Sequence, residues 1–323
     1  MNSNLGGLLL EPLFLKPVFK ERIWGGTALQ KEFGYEIPSE NTGECWAISA
    51  HPNGPSMIEN GPYKGMTLDK LWSEHSELFG NPQEKVFPLL TKILDANMDL
   101  SVQVHPDDSY AMVHENGELG KTECWYIIDC KEDADMIFGH NAQTKEELQE
   151  QIQEGQWNDL LRRVKIKPGD FFYVPSGTIH ALCEGTLVLE TQQSSDTTYR
   201  VYDYDRRDAE GNLRDLHLEK AMEVTTVPHQ DAVSTKLVQE KGDTRITTFV
   251  ESEFFSVYKW EVGGKSSFSF NDQYLLFSVI NGEGTLSHHG IDYRLKKGTH
   301  FVIPVGFGEF EVNGNCEMIV SHT

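Results

Sequence analysis

The stretch Gly169-Asp170-Phe171-Phe172-Tyr173-Val174-Pro175-Ser176-Gly177-Thr178-Ile179-His180 decides how this chain folds. Its apolar run, residues 171–174, predicts a buried strand. Pro175-Ser176-Gly177 predicts a tight turn, which places His180 at or near the start of the next strand, inside the fold. A histidine after a turn is usually a polar residue satisfied by hydrogen bonds, but the spacing from the glycine favours a metal ligand here.

The Gly-x5-Pro-x-Gly-x2-His spacing resembles the second motif of the cupin superfamily, whose members are double-stranded β-barrels with a metal in the barrel mouth. The motif recurs 129 residues later, where Gly298, Pro304 and Gly306 repeat its turn residues. At this offset His180 is replaced by Glu309. A second match aligns residues 101–105 with residues 256–260, so that Gln103 and His105 become Tyr258 and Trp260.

We therefore predict a mainly β protein with two cupin-like (jelly-roll) β-barrels and short helical excursions. One excursion begins after Thr67, and another begins at the capping box formed by Thr144 and Glu147. Residues 1–235 are predicted to form a catalytic metal-binding cupin domain with N-terminal strands. Residues 236–323 are predicted to form a degenerate second cupin domain without metal ligands.

Composition narrows the possible partners and the compartment. The chain has 323 residues, with 28 basic and 50 acidic side chains and a net charge of −22. That balance argues against nucleic acid and anionic membrane as partners. The five cysteines are scattered and predict free thiols in a reducing compartment. Residues 1–17 lack the pattern of a signal peptide, and no run approaches the roughly 20 apolar residues of a membrane span. We expect a soluble cytoplasmic protein.

Two strands can supply partners for His180. Side chains two residues apart on a strand share a face, so Gln103 points the same way as His105, and Lys121 the same way as Glu123. If both strands face the barrel interior, two imidazoles, a carboxylate and an amide oxygen converge. That donor set suits zinc or another divalent transition metal. The alternative is an interior polar network without a metal.

A basic residue follows on the next strand. Arg200 alternates with Tyr202, Tyr204 and Arg206. An arginine on an inward face is costly unless it binds an anion or stabilises charge. The competing interpretation, that Asp203 or Asp205 pairs with it at the surface, stays open from spacing alone.

The quoted motifs, taken together, identify a family. Four segments occur in this order: Ser-Val-Gln-Val-His-Pro-Asp-Asp at 101–108, Gly-Lys-Thr-Glu at 120–123, Tyr-Val-Pro-Ser-Gly-Thr-Ile-His at 173–180, and Tyr-Arg-Val-Tyr-Asp-Tyr-Asp-Arg at 199–206. They resemble type I mannose-6-phosphate isomerases, in the short bacterial form that lacks a large helical insertion. The likeness covers nearly the whole chain.

The resemblance implies a site and a reaction. It implies one Zn²⁺ per chain, a catalytic Arg200 and a sugar-phosphate substrate, in a monomer or weak homo-oligomer. The implied metal ligands are Gln103, His105, Glu123 and His180, and the implied substrate-binding residues are Lys121, Glu190, Asp196 and Arg206. Mannose 6-phosphate and fructose 6-phosphate would interconvert through a metal-stabilised cis-enediolate. The segment after Arg200 departs from the longer enzymes, which leaves the partner of the phosphate open.

The residues leave the identity of the general base open, and two other functions compete with the isomerase. Glu190, Asp196, a histidine or a metal-bound water could act as the base. One rival is a metal-dependent cupin oxygenase, against which Gln103 in place of a histidine argues. The other is a non-catalytic sugar-phosphate-binding cupin, against which the complete ligand set argues.

Overall fold

The computed structural model describes residues 9–233 and 236–323, and its strands pair antiparallel in three sheets. The first sheet has six strands. In spatial order they are β10 (Phe171–Val174), β7 (Glu123–Cys130), β12 (Thr186–Gln193), β5 (Leu89–Ala96), β3 (Thr42–Ser49) and β2 (Val18–Gly26).

The second sheet has five strands and faces the first. Its spatial order is β13 (Tyr199–Tyr202), β6 (Val102–Val104), β11 (His180–Leu182), β8 (Asp135–His140) and β9 (Leu161–Lys165). Between the two sheets lies an apolar cluster that includes Trp24, Leu94, Trp125, Val174 and Leu182. The strands alternate inward and outward side chains, so the polar residues at one end of this interior share a cavity.

The third sheet has ten strands and contains most of the C-terminal half. It comprises β1 (Leu13–Lys16), β4 (Met57–Ile58), β14 (Leu237–Lys241), β15 (Thr244–Glu251), β16 (Ser256–Val262), β17 (Lys265–Phe270), β18 (Leu275–His288), β19 (Ile291–Lys296), β20 (His300–Ile303) and β21 (Gly308–His322). Strands β1 and β4 come from the N-terminal part of the chain. The boundary predicted at residue 235 lies outside the described residues.

Short helices connect the strands. They are α1 (Ala28–Phe33), α2 (Leu68–Glu74), a 3-10 helix at Ser76–Phe79, α3 (Asp108–His114), α4 (Lys145–Gln153), α5 (Trp157–Leu160) and α6 (Leu218–Val224). Helix α2 begins after Thr67, as predicted. Half of the capping box is confirmed, because the Thr144 side chain accepts a hydrogen bond from the Glu147 amide, but the Glu147 carboxylate accepts from the Gln143 amide rather than from that of Thr144. None of the helices in the described part of the chain is both long and apolar enough to cross a membrane.

The mainly β, cupin-like fold is confirmed, with one refinement. The sheets face each other as a cupin-like sandwich and do not close into barrels by hydrogen bonds. A large apolar cluster, which includes Leu15, Ile48 and Ile319, joins the six-stranded sheet to the C-terminal sheet. We refer to the sandwich built from the first two sheets as the first half, and to the strands from β14 to β21 as the second half.

Strand register shows how the two halves correspond. Glu123 pairs with Val174 in the first half, and Leu275 pairs with Ile303 in the second. Ile303 lies 129 residues after Val174 and faces the interior as Val174 does. Leu275 therefore occupies the place of Glu123.

The predicted replacement of His180 by Glu309 is wrong. Phe310 faces the interior of the second half, whereas the Glu309 side chain is exposed. The turn before β21 contains one extra residue, so the offset becomes 130, and Phe310 takes the place of His180. A slip of one residue moves every side chain of a strand to the opposite face.

The predicted match of residues 101–105 with 256–260 is also wrong. Strand β16 pairs with the second part of β21, just as β5 pairs with β12, so β16 corresponds to β5. The counterpart of β6 is β17. Phe268 pairs with Phe310 as Gln103 pairs with His180, and Phe270, two residues further on, takes the place of His105.

Candidate functional site

Three of the predicted metal ligands meet at one end of the first half. Their ligand atoms all lie within 4.8 Å of one another, and the three residues are buried. His105 directly follows β6, Glu123 begins β7 and His180 begins β11. The Glu123 carboxylate lies between the rings, with 3.5 Å from Oε2 to His105 Nε2 and 3.1 Å from Oε1 to His180 Nε2.

Backbone carbonyls orient the two imidazoles. His105 Nδ1 lies 3.0 Å from the Thr197 carbonyl, and His180 Nδ1 lies 2.8 Å from the Thr178 carbonyl. A carbonyl only accepts hydrogen bonds, so each Nδ1 carries the proton and each Nε2 turns a lone pair towards Glu123. This is the arrangement that metal-binding histidines adopt.

Several atoms of this group are buried without a partner. Both Glu123 carboxylate oxygens and His180 Nε2 lack hydrogen bonds in the described residues. An ionised carboxylate buried without hydrogen bonds is strongly unfavourable unless a positive charge compensates it. A divalent cation would satisfy all three atoms at once, so the donor set fits a metal.

Lys121 adds a positive charge to this group. Its Nζ lies 3.2 Å from Glu123 Oε2 and 3.2 Å from His105 Nε2. Burial, reinforced by Lys121, holds the pKa of His105 well below its usual value. Burial alone would raise the pKa of Glu123, but Lys121 and the two histidines hold it well below its usual value. His105 is therefore neutral and Glu123 ionised, which are the protonation states in which these side chains bind metals.

Gln103 lies between the metal group and Arg200. Its strand β6 is flanked by β11 and β13, and Gln103 pairs with His180 on one side and with Arg200 on the other. A cavity of about 400 Å³ opens beside it. Five of the predicted residues line this cavity, namely Gln103, Lys121, Glu190, Asp196 and Arg200.

Arg206 is not among the residues that line the cavity. Tyr204 and Asp205 adopt left-handed backbone conformations, with φ of 57° and 52°, and these turn the chain after β13. The Arg206 guanidinium instead donates to the Asp99 carbonyl at 2.7 Å and pairs with Asp203. Arg214 binds the same Asp203 carboxylate, at 2.7 and 2.6 Å, and does line the cavity.

Arg200 has no carboxylate partner. Its guanidinium donates to the Asp215 carbonyl at 2.7 Å, and in the described part of the chain no carboxylate oxygen lies within 4.0 Å of it. Burial and the neighbouring Arg214 lower its pKa. The alternative in which Asp203 pairs with Arg200 does not hold here, because Asp203 binds Arg206 and Arg214.

A row of alternating charges, which was not predicted from the sequence as a row, crosses the six-stranded sheet. Glu190 on β12 lies 3.7 Å from Lys92 on β5, and Arg22 on β2 lies 3.0 Å from Glu44 on β3. All four line the cavity. Lys92 had a recognisable signal, because it is the one charged residue in the apolar run 87–94.

The carboxylates of this row differ in acidity. Burial raises the pKa of Glu190, and the charge of Glu123 raises it further. Burial would also raise the pKa of Glu44, but Lys92 and Arg22 lower it to about 2. Glu190 also accepts a hydrogen bond from Trp125 Nε1 at 3.0 Å. In this row the ionised form of Glu44 is therefore favoured, whereas the pKa of Glu190 is shifted towards the range in which it can exchange protons.

Comparison with known proteins adds independent information. Residues 13–128 match the family described as phosphomannose isomerase type I, catalytic domain. Residues 245–323 match the family described as mannose-6-phosphate isomerase, cupin domain.

Full-length relatives agree with these matches. The chain is 61% identical to the mannose-6-phosphate isomerase ManA of Bacillus subtilis, over 97% of this chain and 99% of that protein. It is 52% identical to the mannose-6-phosphate isomerase of Streptococcus mutans, over 98% and 99%. The crystal structure of a mannose 6-phosphate isomerase from Bacillus subtilis superimposes with a TM-score of 0.96 at 58% identity, covering 97% of this chain and 100% of that one.

Proposed function

Because the chain belongs to the type I phosphomannose isomerase family and is a mannose-6-phosphate isomerase, we propose that the first half carries out the whole reaction in the cavity beside Gln103. The aldose–ketose isomerase is the function favoured over the two rivals considered from the sequence. The charged residues and Gln103 that line the cavity each have a proposed role.

One Zn²⁺ per chain is proposed at His105, Glu123 and His180, with the Gln103 amide oxygen as a fourth ligand. Two imidazoles and a carboxylate are a common zinc donor set. When bound, the cation supplies Lewis-acid stabilisation of negative charge on sugar oxygens. The buried atoms of Glu123 and His180 support this assignment, because none of them has a hydrogen bond in the described residues and the Lys121 ion pair reaches only Glu123 Oε2.

Arg200 is proposed as the catalytic cation. Its guanidinium borders the cavity without a carboxylate partner, so it is available for the negative charge that the substrate brings or develops. In the isomerisation, that charge grows on O1 as the proton leaves C2 of the aldose and the C1–C2 double bond of the enediolate forms. A fixed cation at that position stabilises the transition state.

Glu190 is proposed as the group that takes the C2 proton and returns it to C1; between these steps the O2 hydroxyl proton moves to O1, so that the ketone forms at C2. Its raised pKa brings its two protonation states closer in energy, which general acid–base catalysis requires. Lys92, 3.7 Å away, supports the ionised form. Asp196 is fixed by Asn53 Nδ2 at 3.0 Å and borders the same cavity, where it can bind sugar hydroxyls.

The phosphate is proposed to bind the cavity's arginines and lysines. Arg22, Lys92, Lys121, Arg200 and Arg214 all line the cavity, against the carboxylates Glu44, Glu190 and Asp196. With Glu123 and Asp203, which pair with Lys121 and Arg214, the five cations face five carboxylates, so the site is locally neutral in a chain whose net charge is −22. Arg206 contributes indirectly, because it holds Asp203, which in turn positions Arg214.

A coupled isomerase assay tests the proposal. Protein stripped of metal should be inactive with mannose 6-phosphate, and zinc added to one equivalent should restore turnover. Other divalent ions added one at a time then identify the preferred metal. Full activity in thoroughly metal-free protein would contradict the proposed site.

A further inference from the structure

A second cavity lies on the outer face of the five-stranded sheet. It has a volume of about 450 Å³ and is bounded by strand residues Ile137, Leu161 and Tyr202 and by the α4–α5 segment, residues 155–159. This volume falls within the range of small-molecule sites, about 300 to 1,000 Å³. The mechanism above uses none of its residues.

One wall of this cavity is aromatic. The rings of Trp157 and Tyr202 stack at 4.3 Å with an interplanar angle of 14°, and the ring of Tyr204 packs against Tyr202 at 4.8 Å. The Tyr204 hydroxyl is buried and has no hydrogen-bond partner in the described residues. A ligand that combines an apolar ring face with hydroxyl groups would cover the rings and satisfy this hydroxyl.

The polar residues of the cavity disfavour an anion. Asp99 and Asp159 line it together with one cation, Arg163. Arg163 is already paired with Asp135 at 2.9 Å. A phosphate group would meet two carboxylates and one already paired cation here, whereas the catalytic cavity offers Arg200, which has no carboxylate oxygen within 4.0 Å in the described part of the chain. Carboxylate and amide side chains, including Asn158, are instead good partners for neutral hydroxyl groups.

We propose that this cavity is a binding site for an unphosphorylated hexopyranose. The sugar ring would stack on the Trp157–Tyr202 wall, with its hydroxyls bonded to Tyr204, Asp99 and Asn158. Polar contacts connect this cavity to the catalytic cavity. The Asp99 backbone carbonyl accepts a hydrogen bond from Arg206, and Arg206 and Arg214 both pair with Asp203.

Tryptophan fluorescence offers a direct test. Five of the six tryptophans are buried, and Trp157 is the one that is partly exposed. Acrylamide quenching therefore reports mainly on this cavity. Methyl α-mannopyranoside, which cannot open its ring or be isomerised, should protect the protein from quenching in a saturable way, with a Kd on the order of 1 mM. Mannitol, which has no ring to stack, should not protect.

Variants separate this site from the catalytic one. Trp157→Ala should abolish binding of the glycoside, measured by calorimetry, and Tyr204→Phe should weaken it about two- to tenfold while preserving the fold. Arg200→Ala should bind the glycoside normally, and mannose 6-phosphate should not displace it. Absence of saturable protection up to about 50 mM, unchanged binding by both aromatic variants, or displacement by mannose 6-phosphate would overturn the proposal.

Discussion

The two halves of the chain share one strand plan and use the same four interior positions in opposite ways. In the first half these positions hold polar side chains that converge beside a cavity, and in the second they hold apolar side chains, of which the three phenylalanines pack against one another. The pairs are Gln103 and Phe268, His105 and Phe270, Glu123 and Leu275, and His180 and Phe310.

Ring contacts show how closely the geometry is retained. The rings of His105 and His180 lie 4.8 Å apart, and those of Phe270 and Phe310 lie 6.2 Å apart. Phe268 extends the second set, 5.6 Å from Phe310. The same backbone thus supports either a ligand group or a hydrophobic core. Polar residues here need a cation to satisfy them, whereas the aromatic residues stabilise the fold by burial alone.

Strand continuity differs in the same direction. In the second half β18 and β21 run unbroken for 14 and 15 residues. In the first half the corresponding strands are divided into β7 and β8, and into β11 and β12, with a short turn at each break. Glu123 and His180 lie at the other ends, as the first residues of β7 and β11. We expect the first half to carry the chemistry and the second half to contribute stability.

The largest expected effect is on that stability. Phe310→Ala should lower the free energy of unfolding by about 3–5 kcal/mol, because it removes a buried ring from a packed core. His180→Ala in metal-free protein should cost less, since the imidazole is smaller and polar, and its Nε2 has no hydrogen bond in the described residues, although the bond from Nδ1 to the Thr178 carbonyl is lost. Urea unfolding of both variants measures the difference. Equal losses would mean that the two positions are not functionally opposite.

Arg200 provides the next test. Arg200→Ala should lower kcat/KM by at least about 10², equivalent to about 2.7 kcal/mol of transition-state stabilisation, with normal metal content and melting temperature. Arg200→Lys should restore only part of kcat/KM, because a lysine ammonium lacks the planar set of donors of the guanidinium. Arg207→Ala, at an exposed arginine nearby, is the matched control and should be unaffected. A variant that unfolds or loses metal would make Arg200 a structural residue.

Acid sensitivity should also distinguish the halves. Lys92 and Arg22 lower the pKa of Glu44 to about 2 in the folded chain, against an ordinary value of 4.5. A lowered pKa stabilises the fold above the ordinary value, and this stabilisation is lost as the pH falls towards 2. Relative to Glu44→Gln, the wild-type free energy of unfolding should therefore drop by about 2 kcal/mol between pH 6 and pH 3.

The counterpart of Glu44 in the second half is the apolar Ile246, which provides the control. Ile246→Val should cost about 0.5–1.5 kcal/mol, independent of pH. Urea unfolding at several pH values measures both pairs. If the difference in free energy of unfolding between the wild type and Glu44→Gln did not change with pH, the charged row would not stabilise the first half.

The smallest effect concerns the weakest ligand. An amide oxygen is neutral and binds zinc less well than imidazole or carboxylate. Gln103→Ala should lower metal affinity on the order of tenfold, equivalent to about 1.4 kcal/mol. Glu123→Ala should lower it further, and competition with a chelator compares the two. The reverse order would mean that Gln103 is not the weakest ligand and has been assigned the wrong role.

Local patterns predicted much of this fold and the centre of its site. The turn and strand around His180, the alternation of Gln103 with His105 and the capping box at Thr144 depend on near neighbours in the chain, and a motif records them. The structure confirms that His105 and His180 converge and that the Thr144 side chain caps its helix.

Three features could not be predicted from local patterns. The face on which Glu309 lies depends on one extra residue in a turn, which an ungapped overlay cannot detect. The row formed by Arg22, Glu44, Lys92 and Glu190 exists only because four strands, far apart in sequence, become neighbours. Likewise, Arg214 rather than Arg206 reaches the cavity because Tyr204 adopts a left-handed conformation.

Metal content per chain tests the comparison most directly. Metal analysis of the purified protein, of His180→Ala and of Phe310→Leu should give one tightly bound ion, none and one, respectively. Phe310→Leu is chosen because it changes the second half with little loss of packing. Two ions in the wild-type protein, or one ion retained by His180→Ala and lost by Phe310→Leu, would contradict the assignment of the metal and the chemistry to the first half.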